Sequence, residues 1–238
     1  MTNIWNTETC YEIANRKPRF AIIPIGSFEQ HGKHLPVTTD TLIAGLIGKA
    51  ICDAYGGFLV SPITVTCSHE HAGFPSSLSI SAETLIHVLR DLIASIESNG
   101  IPLTVLVNGH GGNYVIVNVA QELNVSRPRV FISPTRQHWQ AAMSFAGVEK
   151  TVSEDMHGGE VETSILMYAM PEVVRHDEIE DWEATERPLL TLFGMRHYTK
   201  SGIIGFPSKA TPEKGRLLVG KMAEVIGRDI EAILASQK

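Results

Sequence analysis

The stretch that most constrains the fold is Leu103-Thr104-Val105-Leu106-Val107, followed at once by Asn108-Gly109-His110-Gly111-Gly112-Asn113. A run this apolar is expected of a strand covered on both faces, and such strands belong to mostly parallel sheets with helices on either side. A second run, Phe20-Ala21-Ile22-Ile23-Pro24-Ile25, also stops at a glycine, Gly26. It leads into Ser27-Phe28-Glu29-Gln30-His31-Gly32-Lys33-His34-Leu35-Pro36, with Asp40 a few residues on. Parallel strands share one carboxyl end. The two runs should therefore deliver Glu29, His31 and His110 to one sheet edge, where α/β proteins place functional groups.

The rest of the chain alternates in the way such a sheet needs. Residues 7–17 predict a short helix ending near Lys17-Pro18. Thr39 or Asp40 can cap a helix over 41–54, whose Leu42, Ile43, Leu46, Ile47, Ala50 and Ile51 recur at helical spacing before Gly56-Gly57. Phe58-Leu59-Val60 reads as a further strand. A helix opens at Ser81 or Ala82, with Leu85, Leu89, Ile93 and Ile96 on its apolar face and His87 on its polar one. Another begins near Tyr114, a strand covers 129–133, and a helix covers 136–146. Met156-His157-Gly158-Gly159-Glu160-Val161-Glu162 opens a helix that runs to about Ala169. Residues 171–210 show weak periodicity and several Gly and Pro, which predicts a long irregular excursion. Thr211-Pro212 starts the last helix. One domain over 1–238 accommodates all of this, with a mostly parallel sheet and helices on both faces.

Composition narrows the function classes. With 43% hydrophobic and 19% charged residues the chain is globular, and a net charge of −6 without a basic cluster argues against a nucleic-acid surface. Cys10, Cys52 and Cys67 are odd in number and far apart, as free thiols of a reducing compartment are. Met1-Thr2-Asn3-Ile4-Trp5-Asn6 lacks a basic-then-apolar leader, and no apolar stretch reaches about 18 residues. The expectation is a cytoplasmic protein with no membrane partner.

Three places carry candidate metal ligands: Glu29, His31 and Asp40; His110; and Glu160 with Glu162, near His157. Carboxylates and imidazoles together suit a divalent cation. Plainer readings stand beside this one. Glu29 and His31 could pair in a surface loop, and Glu160 and Glu162 could simply answer a helix dipole. The step from Val107 through glycines into a helix suits a phosphate, yet it is neither G-x-G-x-x-G nor a P-loop. His69 and His71 are read as lining a cleft, His138 beside Trp139 as packing, and His176 and His197 as without a partner.

In this order, Gly26-Ser27-Phe28-Glu29-Gln30-His31-Gly32 with Asp40, then Asn108-Gly109-His110-Gly111-Gly112-Asn113, then His157-Gly158-Gly159-Glu160-Val161-Glu162-Thr163-Ser164 resemble the creatininase family of metal-dependent amidohydrolases. Gly73-Phe74-Pro75 and Gly205-Phe206-Pro207 are similar to weaker patterns of that family. The resemblance implies a three-layer α/β/α fold, a homohexamer, and two divalent ions (zinc, manganese or iron) in each subunit. Carried over by position, Glu29, Asp40 and His110 hold one metal, His31 and the shared Asp40 hold the second, and His157 is the acid/base group. Creatininase itself has a ligand glutamate where this chain has Gly112. Glu160 is the expected substitute and Glu162 the second choice. Creatininase also has a tryptophan where this chain has Ser153, which argues against creatinine as substrate. The implied chemistry is attack of metal-activated water on the carbonyl carbon of a small cyclic amide or a formamide, followed by cleavage of its C–N bond as His157 protonates the departing nitrogen. The other readings are a peptidase maturing a short ribosomal peptide of the mycofactocin type, and a non-catalytic family member holding at most one metal.

Overall fold

The computed structural model describes residues 3–237, so Met1 and Thr2 of the N-terminal reading lie outside the described residues. Its helices are α1 (Cys10–Arg16), α2 (Thr39–Tyr55), α3 (Ala82–Ser98), α4 (Val115–Leu123), α5 (Arg136–Phe145), α6 (Glu160–Ala169), α7 (Leu190–Phe193) and α8 (Pro212–Ser236). The strands are β1 (Phe20–Ile25), β2 (Phe58–Leu59), β3 (Leu103–Asn108) and β4 (Val130–Ser133). They form one sheet in the order β2-β1-β3-β4, and every pairing is parallel.

Alternate residues of β1 and β3 feed two separate cores. Phe20, Ile22, Leu103, Val105 and Val107 pack with α2, α5, α6 and α8, through residues such as Ile43, Ile47, Ile165, Met222 and Ile226. Ala21, Ile23, Ile25 and Leu106 face the other way, onto Leu85, Leu89 and Ile93 of α3 and Ile116 and Val119 of α4. Both faces are covered, which is why neither strand alternates in polarity. The result is the three-layer α/β/α arrangement that the sequence implied.

Local signals account for most boundaries. Ser81 caps α3 by accepting the Thr84 N–H, and Thr211 caps α8 by accepting the Lys214 N–H, with Pro212 at the first position. α2 starts two residues earlier than expected, with Thr38 as its cap residue. Asp40 is therefore not a cap. It lies inside the first turn, buried against the end of β1. Residues 171–210 are irregular, broken only by α7 and short 3₁₀ turns. They return to the sheet edge through antiparallel bridges pairing His157 with Ile204 and Trp182 with Gly205. Among the described residues no helix is long and apolar enough to cross a membrane.

A candidate metal centre

The register of β1 with β3 aligns Ile25 with Asn108, so the loops that follow leave the sheet side by side. The first loop folds back at once, because the Glu29 N–H donates to the Val37 carbonyl (2.9 Å). Gly26 lets α2 close over the strand end: a Cβ there would lie 2.3 Å from the Thr41 hydroxyl oxygen. Asp40 consequently reaches the edge, where its Oδ2 accepts a hydrogen bond from the Ser27 hydroxyl (2.8 Å).

Around Asp40 the acids and imidazoles form a tight cluster. Its Oδ2 lies 3.0 Å from Nδ1 of His110, and its Oδ1 lies 3.0 Å from Nε2 of His31. Glu29 Oε1 is 3.1 Å from the same His110 nitrogen, and Glu162 Oε2 is 3.9 Å from the same His31 nitrogen. Nδ1 of His157 lies 3.8 Å from Glu29 Oε1, and its ring centre is 4.1 Å from that of His31. Within this cluster potential ligand atoms converge in three sets: Glu29, His31 and His157; Glu29, Glu70 and His110; and His31, Asp40 and Glu162.

Glu29, His31, Asp40, His110 and His157, all singled out in the sequence, are thus brought together. Glu160 is not. Its carboxylate pairs with Lys214 of α8, and its backbone N–H donates to Asp155 Oδ1 (2.7 Å). Glu162 is the acid of α6 that faces the cluster, and it also accepts the Gly158 N–H (2.6 Å). Glu70 was missed in the sequence, and His71 was read there as lining a cleft. Glu70 Oε1 lies 3.0 Å from Nε2 of His110, and His71, fully enclosed, has Nε2 3.2 Å from Glu29 Oε1. Both come from the short turn His69–His71, whose only signal was the H-x-H spacing; His69 itself is exposed. His138 is elsewhere, held by the Thr135 N–H and by Asp229, and His197 stacks on Phe193.

The electrostatics describe a site that is starved of positive charge. Burial alone would lower the His31 pKa, yet Asp40, by charge and hydrogen bond, with Glu162 and Glu29, pushes it up to about 9. His110 is likewise held well above its ordinary value against burial, by Glu29, Asp40 and Glu70. Burial, reinforced by Asp40, pushes Glu162 up to about 8. Asp40, against burial, is held well below the usual carboxylate range by His31 and His110. Burial would raise Glu70, but its hydrogen bond and attraction to His110 keep it below the ordinary value. Burial, then the charges on His31 and His71, holds His157 well below its ordinary value.

Glu29 gives the sharpest test of whether a cation fits. It is wholly shielded from solvent, and neither of its carboxylate oxygens receives a hydrogen bond. A buried carboxylate left in that state is strongly destabilising unless a cation answers it. Mixed oxygen and imidazole donors from Glu29, Asp40, Glu162, His31 and His110 match zinc, manganese or iron(II) chemistry.

Fold and site together define an α/β protein with a candidate metal centre of carboxylates and imidazoles at the carboxyl edge of a parallel sheet. The chain belongs to the creatininase family: the family described as creatinine amidohydrolase matches residues 6–230. It is 32% identical over 231 residues to the mycofactocin precursor peptide peptidase of Mycobacterium ulcerans, a match covering 92% of this chain and 86% of that one. It is 24% identical over 216 residues to the creatinine amidohydrolase of Pseudomonas putida, covering 83% of each. The solved structure of a manganese form of creatininase superposes with a TM-score of 0.81 at 21% identity, covering 98% of this chain and 99% of that one, so the fold is shared.

Proposed function

We propose that this chain is a two-metal hydrolase of C–N amide bonds. The observation that carries the reading is Glu29, a carboxylate sealed from water with no hydrogen bond, at the centre of a ring of imidazoles. Glu29, Asp40 and His110 would hold one ion. His31, the second oxygen of Asp40, and Glu162 would hold the other. Two such ions supply Lewis acidity and lower the pKa of bound water from about 15.7 towards about 7.

The chain's own part is proton handling. The His157 Nε2–H donates to the Gln30 carbonyl (2.7 Å), which leaves the lone pair of Nδ1 facing Glu29. Its depressed pKa keeps that nitrogen unprotonated at neutral pH. His157 is thus set to accept a proton at Nδ1 and return it to the departing nitrogen. The Gln30 side chain closes the wall behind it, donating to the Gly202 carbonyl (2.9 Å) and to Nδ1 of His71 (3.0 Å).

An amide within a short peptide is the substrate class this reading favours. The likeness to the peptidase of Mycobacterium ulcerans is higher in identity and longer than that to the creatinine amidohydrolase. A small cyclic amide or formamide is the second reading, supported by the latter relative. Ser153, at the position where creatininase has tryptophan, is engaged by Arg187, which donates to its carbonyl (2.7 Å) and hydroxyl (3.1 Å). A homohexamer belongs to the same reading, and sedimentation tests it. The deciding experiment measures metal per chain by elemental analysis and follows hydrolysis of short peptides, creatinine and N-formyl amines, with and without chelator. Close to two metals and chelator-sensitive, metal-restored cleavage of peptides is the expected result. Metal-free protein or chelator-indifferent cleavage would overturn the two-metal reading, and turnover of the small amides alone would select the second substrate class.

A further inference from the structure

His110 has two nitrogens with opposite surroundings. Nδ1 faces Asp40 Oδ2 (3.0 Å) and Glu29 Oε1 (3.1 Å). Nε2 faces Glu70 Oε1 (3.0 Å) and the Cys67 carbonyl (3.0 Å). A neutral imidazole carries one N–H, and only the nitrogen without it can bind a metal. We infer that Glu70 is the positioning residue of His110: its carboxylate, 3.0 Å from Nε2, joins the Cys67 carbonyl in holding the proton on that nitrogen, keeps the lone pair of Nδ1 towards Glu29 and Asp40, and is the reason position 112 is glycine. The inference rests on the two-metal reading above and adds a residue to it. Ligating histidines are commonly fixed by a carboxylate on their second nitrogen, and loss of that carboxylate weakens metal binding about 10–100-fold.

Gly112 supplies an independent observation. Its φ is not positive, so no left-handed backbone calls for glycine there. What calls for it is space. A Cβ at 112 would lie 2.0 Å from Glu70 Oε1 and 2.4 Å from His110 Nε2, whereas a Cβ at neighbouring Gly111 meets nothing within 4 Å. The glycine pair therefore divides into one member with open surroundings and one whose missing side chain is the room occupied by the Glu70 carboxylate.

The turn that presents Glu70 is held from two sides. The Leu78 N–H donates to the Phe28 carbonyl (2.8 Å), which ties the loop to the Glu29 segment. From the excursion, Arg196 donates to the Gly73 carbonyl (2.7 Å) and lies over the Phe74 ring, while Gly194 abuts the Glu70 carbonyl. Glu70 is thus placed by contacts that do not depend on His110, as a group that orients another must be.

The test uses the full chain loaded with cobalt(II). Affinity for each ion is measured by competition with a chelator, and the exchangeable, paramagnetically shifted ring N–H of His110 is followed by proton NMR. Glu70→Gln and Glu70→Ala should weaken one of the two ions about 10–100-fold and leave the other at the wild-type value. Glu70→Ala should also speed exchange of the Nε2–H. Gly112→Ala should reproduce the metal loss although it removes no ligand, and Gly111→Ala should behave as wild type. Wild-type affinities and unchanged N–H exchange in both Glu70 variants would overturn the role of Glu70 and leave the two-metal reading intact. Loss of both ions together with a lower melting temperature of the metal-free protein would assign Glu70 a merely structural part and overturn it too. A wild-type chain that takes up no cobalt would overturn both readings.

Discussion

Two buried acidic regions lie either side of the first turn of α6, and they are answered differently. On one side Glu160 pairs with Lys214, and Asp155 accepts the N–H groups of Glu160 (2.7 Å), Val161 (2.9 Å) and Phe206 (3.1 Å). On the other side Glu29, Asp40 and Glu162 meet only imidazoles and a few neutral donors, and neither carboxylate oxygen of Glu29 receives a well-formed hydrogen bond. The first region is answered by a fixed cation, Lys214, and by backbone N–H groups, with only Oε2 of Glu160 left without a hydrogen bond. The second is satisfied only when positive charge is added, as protons on His31 and His110 or as metal ions. A buried acid becomes a reagent where the fold withholds its counter-charge.

The largest effect should come from the unsatisfied side. Glu29→Gln should lose an ion and cut amide hydrolysis by about 10³-fold or more, the several kcal/mol that Lewis-acid activation supplies. Wild-type metal content in that variant, read by elemental analysis, would break the comparison. On the satisfied side, Asp155→Ala removes three hydrogen bonds from buried backbone and should destabilise the fold by about 3 kcal/mol with both ions retained, as urea unfolding and elemental analysis would report.

Metal should stabilise the fold in proportion to its concentration. Each ion at 100 times its Kd adds about 2.7 kcal/mol, so chelation should lower Tm and re-addition should restore it. A Tm indifferent to chelator would mean that protons alone answer the cluster. Next in size is His34, a buried ring beside the cluster. Its pKa is lowered to about 4, first by burial and then by the charge on His31. The fold thus favours its neutral form. The stability this gives is fully present above pH 6.5 and is lost as pH falls towards 4, on the order of 3 kcal/mol in all. His34→Gln should flatten that acid limb in urea titrations taken between pH 7 and pH 4. The smallest effect belongs to Glu160→Gln, which should cost about 1–2 kcal/mol and leave metal content unchanged. Loss of an ion in that variant would move Glu160 across to the other side of the comparison.

Much of this was legible in the chain. β1 and β3 are short, largely apolar and lead into glycines, so the sheet and its working edge could be inferred, and with them Glu29, His31 and His110, whereas the roles of Asp40 and His157 came only from the resemblance to the creatininase motifs. The choice between Glu160 and Glu162 could not be read so directly. Two residues apart on a helix is about 200° of rotation, so one faces the sheet edge whenever the other faces away. Which one does is decided by the packing of α6 on α8, and neither the dipole argument nor the motif reveals that. Glu70, and the closeness of cleft-lining His71 to Glu29, were hidden for a different reason. Their turn follows no paired strand and no helix, so its place beside His110 is set by hydrogen bonds to the Phe28 carbonyl and from Arg196, far away along the chain.

The bond from Gln30 to the Gly202 carbonyl spans 172 positions of sequence. At a synthesis rate of about 5–20 residues per second, Gly202 leaves the ribosome roughly 10–30 s after Gln30 does. Throughout that interval the emerging chain exposes its acids and imidazoles without the wall that later encloses them. Functional maturation of this protein therefore waits on the segment around Gly202 and not on formation of the sheet.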